Sequence, residues 1–75
     1  MHIHLGGHLS FYDAERRSWI EWPDAVPLTL RTLAERLGLP LGEVAFVAVN
    51  RRLAELDEVA HPGDRVEFFP PMGGG

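Results

Sequence analysis

The chain has 75 residues, seven basic and eleven acidic side chains, a net charge of −4 and no cysteine. That length fits one small domain with a thin core, since chains near this size bury only about 60% of their unfolded surface. The missing cysteines exclude disulfides, thiolate metal sites and a thiol nucleophile; all seven basic residues are arginine, which excludes a lysine Schiff base or a phosphate-loop lysine.

Met1, Ile3 and Leu5 alternate with His2, His4 and Gly6, which predicts a strand with one buried face. Gly6-Gly7 loosens the backbone, Leu9, Phe11 and Tyr12 add apolar anchors, and Asp13 to Arg17 reads as an exposed connection. Ile20 and Trp22 alternate with Trp19 and Glu21, giving a second short strand ended by Pro23-Asp24 and placed for an antiparallel hairpin with the first. Pro27-Leu28-Thr29 opens the one clear helix. Thr29 is its cap, and Leu30, Leu33, Ala34 and Leu37 share one face. Gly38 is placed for a left-handed C-terminal cap, and Pro40 prevents continuation. Val44 to Val49 is an apolar run that predicts a well-buried strand. Asn50-Arg51-Arg52 is a turn, Leu53 and Leu56 fit a weak edge segment, and His61-Pro62-Gly63-Asp64 is a tight turn. Val66 to Phe69 forms the last strand, stopped by Pro70-Pro71.

One helix must then cover one face of a mixed sheet of four to five strands, with the first and last strands central and parallel. That order describes an α+β fold of the β-grasp, ubiquitin-like type, with residues 1–70 as the domain and 71–75 as a flexible C-terminal Gly-Gly tail.

These residues resemble a known family. Val47-Ala48-Val49-Asn50 is similar to a strand end of the MoaD/ThiS group of ubiquitin-like sulfur carriers, and Pro62-Gly63-Asp64-Arg65-Val66 to its turn into the final strand. Phe69-Pro70-Pro71-Met72-Gly73-Gly74-Gly75 resembles the tail of the molybdopterin-synthase small subunit, with Gly73 at that tail's variable position. Arg51 stands where the family commonly has glycine, and Gly6-Gly7 is unusual for it. The resemblance implies a sulfur carrier without catalytic residues of its own, a cosubstrate or the small subunit of an enzyme complex. An activating adenylyltransferase would join Gly75 to AMP, with ATP as its own cosubstrate, and then exchange AMP for sulfur to leave a thiocarboxylate. Gly73, Gly74 and Gly75 would thread the partner's active site, where side chains do not fit. The tail favours sulfur donation in molybdopterin biosynthesis, beside a large synthase subunit. The alternatives are a sulfur donor for thiamine thiazole or tRNA thiolation, or a protein modifier conjugated through Gly75. A β-grasp binding module with an inert tail is a further reading.

Other features carry less chemistry. Phe69 follows Phe68, so the two point to opposite faces of a regular strand. With Val66 and Phe68 in the core, Phe69, Pro70, Pro71 and Met72 form an apolar partner surface beside the tail. His2 and His4 share a strand face but lack further placed ligands; the simpler reading is two solvent-facing histidines and no metal. Trp19 stays unassigned. Asp13, Glu15, Glu35, Glu55, Asp57 and Glu58 are scattered singly and read as solvated surface. The acidic balance argues against a nucleic-acid partner. No apolar run reaches membrane-spanning length, and Met1-His2-Ile3-His4 lacks a signal-peptide layout, so a cytoplasmic protein with no cofactor bound is expected.

Overall fold

The computed structural model describes residues 1–23 and 26–71. Strand β1, His2–Leu5, pairs antiparallel with β2, Trp19–Glu21, and parallel with the last strand, β7, Arg65–Phe69. On its other side β7 pairs antiparallel with β4, Phe46–Val49, which forms a hairpin with β5, Arg52–Ala54. The sheet order is β2-β1-β7-β4-β5, so the first and last strands are adjacent, parallel and interior, as the element order predicts. A second, two-stranded sheet joins β3, Leu28–Thr29, to β6, Val59–Ala60.

Helix α1, Leu30–Arg36, covers one face of the sheet. Its first free amides are all satisfied, as a buried helix start requires. Leu30 donates to the Glu58 carbonyl and Arg31 to that of Leu56, each at 2.9 Å, while Thr32 donates to Thr29 Oγ1 at 3.1 Å. At the other end Gly38 takes φ +78°, and Leu39 donates to the Ala34 carbonyl and Gly38 to that of Glu35, each at 3.0 Å. This is the double hydrogen bond of a Schellman cap. Leu30, Leu33 and Ala34 meet Ile3, Leu5, Val47, Val49, Val66 and Phe68 in one core.

The structure corrects several expectations. The apolar run narrows to Phe46–Val49, and Phe46 points to the outer face because Val47 and Val49 occupy the inner one. Leu56 lies outside the edge strand and packs on the core from a loop. Gly7–Tyr12 forms a 3-10 helix that buries Leu9 and Ser10, where only loose anchors were expected. The β3–β6 pair was not foreseen either. Asp24 lies outside the described residues.

Asn50 and Arg51 both take positive φ, at 51° and 69°, between the paired residues Val49 and Arg52. A two-residue hairpin loop of that geometry favours glycine, and the left-handed region costs an ordinary residue about 1 kcal/mol. Arg51→Gly is therefore expected to raise stability by up to about 1 kcal/mol, less the extra freedom glycine gives the unfolded chain. A urea midpoint at or below that of the wild type would contradict it.

The turn into β7 is held by Asp64. The His61 amide donates to its Oδ2 at 2.9 Å and holds the carboxyl below its usual value; the Asn50 amide group, at 3.2 Å, adds to this. A lowered carboxyl stabilises the fold above the unfolded-state value near pH ~4, and that contribution is lost as pH falls through the folded value. The stability gap between wild type and Asp64→Asn should thus narrow between about pH 6 and pH 3, read from urea midpoints. A gap independent of pH would show that the charge contributes nothing.

Candidate functional site

The alternation of β7 decides the site. Val66 and Phe68 are fully buried on the helix side, so Arg65, Glu67 and Phe69 stand on the opposite face. Phe69 is directly opposite Phe46 on β4 with ring centroids 5.1 Å apart, in unbroken register, so no bulge turns it inward. His4 on β1 is opposite both Glu67 and Trp19; its ring lies 4.7 Å from that of Trp19 and 6.4 Å from that of Phe69. The Arg65 guanidinium stacks over Trp19 at 4.9 Å and donates to Glu67 Oε1 at 3.1 Å. Four rings and one ion pair thus share the face of the sheet opposite the helix.

Phe69 is half-buried by these neighbours, and Pro70 is half-buried as well, whereas Pro71 is exposed. The Ala45 amide donates to the Phe69 carbonyl at 2.8 Å and fixes the last peptide before the prolines. Met72, Gly73, Gly74 and Gly75 lie outside the described residues.

Of the two histidines, one matches expectation and one departs from it. His2 is exposed and pairs with Glu21. His4 is only partly exposed: Trp19 and Phe69 pack beside it, its buried Nδ1 has no hydrogen-bond partner, and Glu67 Oε2 is 3.7 Å away. Among the described residues no three His, Cys, Asp or Glu side chains are grouped to hold a metal ion. The scattered acids include several paired with arginine: Asp13 with Arg17 through two contacts of 3.0 Å, Asp57 with Arg31 at 3.2 Å, and Glu58 with Arg52 at 3.4 Å.

Sequence reasoning found Phe69 and missed Phe46, His4 and Trp19 as its companions. The parity of Val47 and Val49 carried the position of Phe46. The strand order brings Trp19 and His4 beside β7, and no local pattern encodes it. Among the described residues no helix is long and apolar enough to cross a membrane.

Comparison with known proteins agrees with this architecture. A search of curated proteins finds no match. Solved structures similar to the chain include the crystal structure of a thiamine biosynthesis protein, ThiS, from Geobacter metallireducens, at 25% identity over the whole of both chains and a TM-score of 0.61. A solution structure of a thiamine biosynthesis protein from the same organism shares the fold, at 24% identity, 88% coverage of that chain and a TM-score of 0.57. The model of the ThiS family matches residues 12–75, which takes in β2, α1, the aromatic pair Phe46 and Phe69, and the glycine tail. The chain belongs to the ThiS family of small, ubiquitin-like sulfur carriers.

Proposed function

We propose that the chain is a protein cosubstrate whose Gly75 carboxylate is adenylated by an activating enzyme and converted to a thiocarboxylate. The observation that carries this reading is the family match, which runs through the β-grasp domain to Gly75 itself. The geometry supports it: β7 ends at Phe69, and Pro70-Pro71 leads the chain away beside a face of four rings. Phe69, Pro70, Pro71 and Met72, joined by Phe46 and Trp19, form the surface for an adenylyltransferase and then for a synthase. Gly73, Gly74 and Gly75 enter the partner's active site. The chain supplies no catalytic group and binds no cofactor; the nucleotide belongs to the activating enzyme.

The sulfur acceptor has two readings. Formation of the thiamine thiazole is favoured by the family match and by the full-length likeness to a thiamine biosynthesis protein. Donation to molybdopterin is favoured by the tail Phe69-Pro70-Pro71-Met72-Gly73-Gly74-Gly75, which resembles that of the molybdopterin-synthase small subunit. The purified thiocarboxylate form, offered to a thiazole synthase and to the large subunit of molybdopterin synthase, decides between them. Sulfur transfer only with the thiazole synthase supports the first, and transfer only with the large subunit supports the second.

A further inference from the structure

Gly6 and Gly7 lie directly beneath the root of the tail. The Gly6 amide donates to the Phe68 carbonyl at 2.9 Å, which carries the β1–β7 ladder one residue past the strand. A Cβ on Gly6 would stand 3.0 Å from that carbonyl oxygen, 3.3 Å from Phe69 Cδ1 and 3.6 Å from Pro70 Cδ. A Cβ on Gly7 would stand 2.9 Å from Pro70 Cγ, a separation that real side chains do not reach. Gly7 also takes φ +51°, in the left-handed region where glycine alone is unstrained. The Gly6 carbonyl accepts from Leu9 at 3.0 Å and so begins the 3-10 helix whose Leu9 is fully buried, which anchors the pair to the core.

Proline has no amide hydrogen, so Pro70 cannot donate a ladder hydrogen bond. Its ring rests instead on the bare Cα atoms of the two glycines, while Ala45 holds the preceding carbonyl from the other side. We infer that Gly6 and Gly7 form a seat for the Pro70 ring that fixes the direction in which the tail leaves the domain. This makes both glycines positioning residues for the reaction at the tail, and that part rests on the sulfur-carrier reading. Docking depends on the outer face, whereas delivery of the terminus to the nucleotide depends on the seat.

The test varies the carrier in an ATP–pyrophosphate exchange assay with the activating enzyme. Gly7→Ala should lower kcat by about tenfold, because a reacting group displaced by about an ångström loses rate steeply, and leave KM within about twofold. Pro70→Ala, which empties the seat without touching a glycine, should lower kcat as well, and raise KM besides because Pro70 also belongs to the docking surface. Adding Gly7→Ala to it should then change little, since the two substitutions act through one contact. Equal losses from Gly7→Ala in both backgrounds, or a rise in KM in place of the fall in kcat, would overturn the seat. If Gly7→Ala does not fold, Gly6→Ala replaces it in the same comparison, because Gly6 has an ordinary extended backbone at φ −74°, ψ 153°.

An enzyme-free measurement separates this inference from the functional reading. Wild type should show a nuclear Overhauser effect between the Gly7 α protons and the Pro70 ring, and Cα–Hα dipolar couplings at Pro70 and Pro71 should change in Gly7→Ala. Unchanged couplings overturn the seat. A wild-type chain that shows the contact but is never adenylated overturns the sulfur-carrier reading and leaves the seat in place.

Discussion

Phe68→Asp is expected to abolish the folded state, whereas Phe69→Asp, one residue on, should leave a folded domain that no longer docks. Phe68 is fully buried at the centre of the core, between β1 and β4. Truncating such a ring costs about 3–5 kcal/mol, and an unpaired buried carboxylate adds several more. A domain of this size is stabilised by only about 5–10 kcal/mol. The sum exceeds what the fold holds.

Phe69 stands on the other face, where the substitution removes its ring contacts with Phe46 and His4. Ring pairs of this kind are worth about 1 kcal/mol, so Phe69→Asp should lower stability by about 1–2 kcal/mol and keep the fold. That is more than an isolated surface residue would cost, because the ring is half-buried by its neighbours. Binding to the activating enzyme should weaken by at least about 2 kcal/mol, or roughly thirtyfold, the loss typical of a central aromatic anchor. Melting curves and a titration with the partner check both halves. A folded Phe68 variant beside an unfolded Phe69 variant would mean that β7 is shifted by one residue, which would turn every side chain of the strand to the other face.

The elements that were legible in the sequence are those whose pattern is local. The alternation in Met1 to Leu5 and in Val66 to Phe69, and the caps at Thr29 and Gly38, each point to one structure without help from the rest of the chain. The parallel pairing of β1 with β7 followed because a single helix leaves few ways to cover the sheet. The two-residue strands β3 and β6 have no period to detect, and tertiary contact brings Leu28 opposite Ala60. The 3-10 helix over Gly7–Tyr12 likewise buries Leu9 without a repeating apolar pattern. Phe46 was hidden in an apolar run, where periodicity cannot separate inner from outer positions. His4 was assigned to the correct face but not to its surroundings, since Trp19 and Phe69 reach it from two other strands. Within the site, then, Phe69 was legible from strand parity alone, while its ring neighbours required the strand order β2-β1-β7-β4.

The second large effect concerns Gly75. Deleting it should abolish sulfur loading completely while leaving the melting temperature unchanged, because Phe68 is the last core residue among those described and chain ends seldom carry stability. The shortened chain would still dock, since Phe46, Phe69 and Trp19 are untouched. It should therefore compete with the intact chain for the activating enzyme, and that competition separates a lost reacting group from a lost fold. A deletion variant that neither loads nor competes would indicate that the terminus contributes to docking itself.

The most direct measurement is the intact mass of the wild-type chain after incubation with its activating enzyme, ATP and a sulfur donor. The account predicts that one oxygen is replaced by sulfur and that fragmentation places the change on Gly75. An unchanged mass, or a mass that instead records an amide bond between Gly75 and a lysine of another protein, would contradict the sulfur-carrier assignment.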